Sequence, residues 1–141
     1  MKNFLVLLVF LFSAQVFAAG DMDSFGWDTV RFINYERTKL GRPQLGVTPA
    51  LVCSAQTHVS DIGGKKVCQT PPTDGSVIWD IPKKCGTAAY GVLVGCGYPT
   101  ADAAVSGWLQ RQDTAAMLLD PKFRTVGVGM INNYWVVFFG L

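Results

Sequence analysis

Apolar residues recur at helical spacing through the first part of this sequence and at strand-like spacing only at its end. From Ser24 to Leu40, the residues Trp27, Val30, Ile33, Tyr35 and Leu40 return about once per turn, Ser24 offers an N-cap, and Gly41-Arg42-Pro43 stops the run. This predicts a first helix with those five residues on its buried stripe. Thr48-Pro49 then places an N-cap before Pro at the first helical position, and Leu51, Ala55, Val59 and Ile62 form the stripe of a second helix ending before Gly63-Gly64. Gly63 to Thr87 has no sustained periodicity and is expected to be an irregular loop.

Ala89 to Val94 reads as a short buried strand, weakened by Gly91. A third helix starts at Thr100 or Asp102 and carries Ala104, Val105, Trp108 and Leu109. A fourth, Thr114 to Leu119, stops at Asp120-Pro121. Thr125 to Ile131 and Tyr134 to Gly140 are β-prone runs joined by Asn132-Asn133, residues that tolerate the positive φ of a two-residue hairpin turn. In the last run Trp135, Val137 and Phe139 fall on one face and Val136 and Phe138 on the other, the pattern of a strand covered on both sides. The same covering makes Trp108, Trp135, Phe123, Phe138 and Phe139 core residues rather than a ligand-binding set. The fold class expected is α+β, layered, with a small antiparallel sheet.

Composition narrows the setting. Met1 to Ala18 has one basic residue, Lys2, an apolar run from Phe4 to Phe12, and Val16 and Ala18 flanking a plausible cut, so it reads as a secretory signal peptide with a single domain over 19–141. That run is too short to span a bilayer, and no later stretch approaches the roughly 20 apolar residues needed. No integral membrane segment is therefore expected after cleavage. The net charge is +2 and the basic residues are scattered, with Lys65-Lys66 and Lys83-Lys84 the only adjacent pairs, which excludes a nucleic-acid footprint. The four cysteines, Cys53, Cys68, Cys85 and Cys96, are even in number and bound for an oxidising compartment, secreted or periplasmic, and predict two disulfides. Their spacing has no close pair of the kind structural zinc sites use. Of the three connectivities, Cys68 with Cys85 closes a Pro- and Gly-rich loop locally and leaves Cys53 with Cys96.

Several segments together carry a resemblance. Ile33-Asn34-Tyr35-Glu36-Arg37 precedes Gly41 and Leu45; Ala55-Gln56 and His58 lie on the second helix; Gly91 to Tyr98 leads into Pro99-Thr100. Gly107-Trp108, Leu118-Leu119-Asp120-Pro121, Phe123, Val126-Gly127-Val128-Gly129 and Tyr134-Trp135 follow in order. The set resembles the CAP superfamily of cysteine-rich secretory, antigen 5 and pathogenesis-related proteins, in its bacterial SCP-like form. The resemblance implies an α-β-α sandwich with a cleft that many members line with two His and two Glu, the His pair able to bind zinc. Carried over, the first His falls near Gln69, the first Glu on Val92 with its Asn neighbour on Leu93, and the second His on Thr114.

The inventory contradicts such a site without reference to any alignment. The sequence contains one His, His58, and one Glu, Glu36. Gln and Thr are poor zinc ligands and Val offers no acceptor. The remaining polar residues have structural readings: His58 as a partly buried residue beside an apolar stripe, Glu36 and Arg37 as the polar face of the first helix, Asp102 with Thr100 as a helix start. No Ser lies in a Gly-x-Ser-x-Gly elbow. The expectation is a secreted, non-catalytic binding module with no cofactor and a degenerate cleft at Gln69, Val92 and Thr114. Its ligand would be a small apolar molecule, a glycan or a protein; the alternative is a hydrolase using His58 with a nearby Asp.

Overall fold

The computed structural model describes residues 21–141; the predicted signal segment lies outside the described residues. The elements are α1 (Ser24–Lys39), β1 (Gly46–Val47), α2 (Pro49–Lys65), α3 (Asp80–Lys84), β2 (Gly91–Cys96), α4 (Ala101–Leu109), α5 (Gln112–Leu118), β3 (Thr125–Ile131) and β4 (Tyr134–Gly140). The four strands make one sheet in the order β1-β3-β4-β2, with β1 parallel to β3 and the other pairs antiparallel. Helices cover both faces, so the chain is an α+β domain in three layers, α-β-α.

Each face of the sheet has its own core. Leu93, Trp135, Val137, Phe139, Val126 and Val128 pack with Ile33 of α1, Trp108 of α4 and Leu118 of α5. On the other face Val136 and Phe138 meet Leu51, Ala55, Val59 and Ile62 of α2. The alternation expected for the last strand is therefore present, and all five of its central residues from Trp135 to Phe139 are buried. The hairpin bounds match those expected, and Asn132 and Asn133 take positive φ of 51° and 64°.

Other expectations need correction. The N-cap of α1 is Asp23, whose Oδ1 accepts from Gly26 N at 2.9 Å, rather than Ser24. The buried stripe of α1 is Gly26, Thr29, Val30, Ile33 and Arg37, while Trp27, Tyr35 and Leu40 are more than half exposed. Positions 26, 29, 30, 33 and 37 form one face at 3.6 residues per turn, and Trp27 and Tyr35 lie off it. α2 continues through Gly63-Gly64 to Lys65 because Gly63 packs against Ile131, and it stops where Lys66 turns left-handed at φ 57°. Within the expected loop lies the short helix α3, and β1 adds a two-residue strand.

The disulfides are Cys53–Cys85 and Cys68–Cys96, which overturns the pairing expected from local loop closure. The reason is the length of α2. Its 17 residues span about 25 Å, with Cys53 in its first turns and Cys68 beyond its last. The following segment folds back along the helix, so α3 delivers Cys85 to the N-terminal end. β2 then runs the length of the sheet and returns Cys96 to the C-terminal end.

α2 approaches the sheet unusually closely. A Cβ at Gly127 would overlap the backbone of Leu51 and Val52, and one at Gly129 would lie 2.8 Å from the Ala55 carbonyl oxygen. Glycine at these two β3 positions thus sets the distance between helix and sheet. Gly127→Ala should therefore destabilise the fold by about 3 kcal/mol, the upper range for overpacking. Gly64→Ala, on the same helix with nothing within 4 Å of its added methyl, should leave stability unchanged or raise it by up to about 1 kcal/mol. Urea denaturation of both variants checks this, and equal losses would refute the close-packing account.

Candidate functional site

The three positions carried over from the family resemblance fall on different elements. Gln69 lies in the loop after α2, where its Nε2 donates to the Pro71 carbonyl at 2.8 Å. Val92 lies on β2 opposite Phe138 and packs, partly buried, with the core under α2. Thr114 is in the first turn of α5, and its hydroxyl donates to the Trp108 carbonyl at 2.5 Å, tying α5 to the end of α4. Gln69 and Val92 thus belong to the α2 side of the sheet. α5 packs on the opposite side, where Leu118 enters the other core.

The one His does not lie in an open cleft. His58 is fully buried on α2, and among the described residues neither ring nitrogen makes a hydrogen bond of good geometry. Burial lowers its proton affinity below the ordinary value of 6.5, while Asp61 and the backbone of Gln69 and Thr70 pull the other way. Asp61, one turn further on, is committed to the loop that covers the ring: it accepts from Thr73 N at 2.8 Å and from Thr73 Oγ1 at 2.5 Å. Lys65 lies 3.2 Å from the same carboxylate. Burial pushes the Asp61 carboxyl up, but the Thr73 hydrogen bonds and Lys65 outweigh it and hold it below its usual range. Among the described residues, no three His, Cys, Asp or Glu side chains gather as a metal-binding group would.

The Asn-x-x-Arg pair of α1 has a structural task that its sequence reading missed. Arg37 is fully buried rather than part of a polar face. Its Nε donates to Pro43 O at 2.7 Å, one terminal nitrogen to Leu118 O and Asp120 O at 3.0 and 2.9 Å, and the other to Phe123 O at 3.0 Å. Burial lowers its pKa and Asp120 opposes that, but no carboxylate touches it; backbone carbonyls alone receive the charge. Asn34, one turn earlier, accepts from Leu45 N at 2.7 Å and donates to Leu45 O at 3.0 Å. Only the fixed three-residue spacing signalled this. It places both side chains on the α1 face that meets the incoming chain.

A groove of about 590 Å³ runs between α1 and the segment leading into β1, lined by Trp27, Val30, Tyr35, Gln44, Leu45 and Val47 among others. A cavity of about 200 Å³ beside α2 includes Asp61, Lys65, Asp74 and Lys84. Neither is lined by Gln69, Val92 or Thr114. No helix among the described residues is long and apolar enough to cross a membrane.

A sheet packed between two helical layers, two bridges anchoring α2, and an Asn-x-x-Arg pair that staples the connections define a small disulfide-bonded α-β-α domain. Residues 30–139 match the CAP family, described as the cysteine-rich secretory protein family, and the chain belongs to it. No curated protein matches the chain in sequence. In structure it is similar to an extracellular protein containing an SCP domain from Bacillus anthracis, with TM-score 0.76 and 18% identity over 81% of this chain and 39% of that one. It is similar also to an outer surface protein of Borrelia burgdorferi, with TM-score 0.71 and 17% identity over 81% and 90% of the two chains. A cysteine-rich secretory protein of Staphylococcus aureus aligns with TM-score 0.67 and 16% identity, over 80% of this chain and 36% of that one. The chain thus spans well under half of the Bacillus and Staphylococcus proteins and nearly all of the Borrelia one.

Arg37→Met should cost at least about 3 kcal/mol, since it leaves four carbonyls without their charged donor. Arg37→Lys should recover little, because an ammonium cannot reach acceptors arranged around a planar fork. Thermal unfolding of the two variants checks the order, and a Lys variant as stable as the parent would contradict it.

Proposed function

We propose that this chain is a secreted, non-catalytic binding module of the CAP family, in which the cleft has lost the metal and acid-base chemistry of the family's two-His, two-Glu site. The observation that carries this reading is the inventory together with its placement: one His, one Glu, and that His buried on α2. The donor set does not fit zinc. At the carried-over positions a Gln amide is turned to its own loop, a Val is packed in the core, and a Thr hydroxyl is spent on a helix carbonyl. Zinc needs three or four N, S or carboxylate ligands in compact geometry. The cysteine sulfurs are held in the two bridges.

Secretion is supported by those bridges, which belong to an oxidising compartment, and by the extracellular and outer-surface descriptions of the Bacillus and Borrelia relatives. The hydrolase alternative requires an imidazole that substrate can reach. The burial of the ring beside the Gln69–Thr70 backbone favours the non-catalytic reading over this alternative. The ligand class, a small apolar molecule, a glycan or a protein, is addressed by native mass spectrometry of the protein as it leaves the host.

Metal analysis of the dialysed protein, with His58→Ala in parallel, tests the central claim. Zinc far below one equivalent in both is expected. Near-equimolar zinc that disappears in the variant would overturn the non-catalytic reading.

A further inference from the structure

The segment between Cys68 and Asp80 is held on α2 at few points. The Cys68–Cys96 bridge pins one end and α3, with Cys85 bridged to Cys53, pins the other. Between them, Pro72 is buried and Ile78 packs against the core under α2, and the hydrogen bonds that fasten the loop to the helix are those of Asp61, which takes both the backbone and the hydroxyl hydrogen of Thr73; Lys65 also reaches the Thr73 hydroxyl. Asp74 and Ser76 close a local turn without touching α2 through hydrogen bonds. Beneath this loop sits His58, three residues before Asp61, fully buried beside the Gln69 and Thr70 backbone, with neither ring nitrogen in a hydrogen bond of good geometry among the described residues. A neutral imidazole has one donor and one acceptor, and burying both unpaired is unfavourable. The closed state therefore carries a stored penalty at that ring.

We propose that His58 and Asp61 form a proton-operated latch: protonation of His58 draws the Asp61 carboxylate from Thr73 and releases the Gln69–Ser76 loop. The charges around the ring allow this competition. Asp61, one turn along α2, is the carboxylate whose charge acts on His58, and the covering loop brings the backbone of Gln69 and Thr70 to the ring. The sheet beneath α2 contributes Val136 and Phe138, which do not titrate, with the Tyr134 side chain packed against the same cluster. Lys65, Asp74 and Lys84 line the adjoining cavity with Asp61. An imidazolium needs two acceptors where the neutral ring needs one, and the nearest are Asp61 and the two loop backbones. Using Asp61 breaks the Thr73 pair, and using the loop backbone requires the loop to move.

The sign follows from where the proton binds more tightly. Burial disfavours the charged ring in the closed state, whereas the open loop restores an ordinary imidazole near 6.5. Opening is therefore resisted fully above that pH and becomes progressively easier as pH falls through it, reaching its limit once the closed form also protonates. Because Gln69 is in the released segment, the device would uncover the α2 surface beneath that loop in acid. It does not depend on which ligand the module takes.

Hydrogen exchange of the oxidised protein at pH 7.5 and pH 5.0, corrected for intrinsic rates, reads the latch directly. Amides of Gln69–Ser76 should lose at least tenfold protection at the lower pH while β3 and β4 keep theirs. In His58→Gln that pH dependence should vanish, and in Asp61→Asn the loop should exchange fast at both pH values. Equal protection of the parent at the two pH values, or the same loss in His58→Gln, would overturn the proposal. Because the chain has one His, its imidazole resonance gives a second readout that needs no variant. It should titrate below 6.5, with the Gln69–Thr73 amides shifting at the same midpoint. A midpoint at or above 6.5, or amides that do not follow, would equally sink the latch.

Discussion

The guanidinium of Arg37 is the constraint on which the rest of the architecture depends. A planar cation with no carboxylate against it is buried and shared among the carbonyls of Pro43, Leu118, Asp120 and Phe123. Those carbonyls come from two connections far apart in sequence: the one leaving α1 and the one joining α5 to β3. Irregular backbone can be buried only if its polar groups find partners. Here one side chain satisfies the ends of both connections, fixing where α1 stops, where α5 ends and where β3 begins. A hydrophobic residue could fill the volume but would leave the carbonyls without donors.

On the opposite face, shape rather than charge sets the geometry. Gly127 and Gly129 let the α2 backbone lie against β3, and the two bridges then fix both ends of that helix, one to α3 and one to the end of β2. The consequence is an uneven distribution of support. The helix–sheet contact is close-packed, whereas the stretch between Cys68 and α3 is held by Asp61, a few local turns and the packing of Pro72 and Ile78. Irregular segments with few buried contacts are where local opening costs least.

The hairpin, the strand faces and helices α4 and α5 were legible in the sequence because their signals are local. Period-two alternation, an Asn-Asn turn, Thr100 as an N-cap and Asp120-Pro121 as a stop each act within a few residues. The α1 stripe was misread for a tertiary reason: counting Trp27 and Tyr35 as inward treats hydrophobicity as the only cause of burial. Arg37 and Thr29 are inside because the chain supplies their acceptors, with Thr29 donating to the Phe25 carbonyl. The disulfide pairing failed similarly. Loop closure favours near neighbours, but the length of α2 and the path of β2 carry the near neighbours to opposite ends. At the candidate site, the composition already ruled out a two-His centre. The covering of His58 by a distant-looking loop could be seen only in three dimensions.

Asn34 carries one further consequence. Its amide meets both the N–H and the C=O of Leu45, the pairing a neighbouring strand would make at the residue just before β1. β1 is one of the two outer strands of the sheet, and outer strands are where unrelated chains add themselves and aggregation begins. A side chain that imitates a strand occupies that position with a partner too short to extend. The same residue that anchors a turn thus also blunts this edge of the sheet against the addition of another strand.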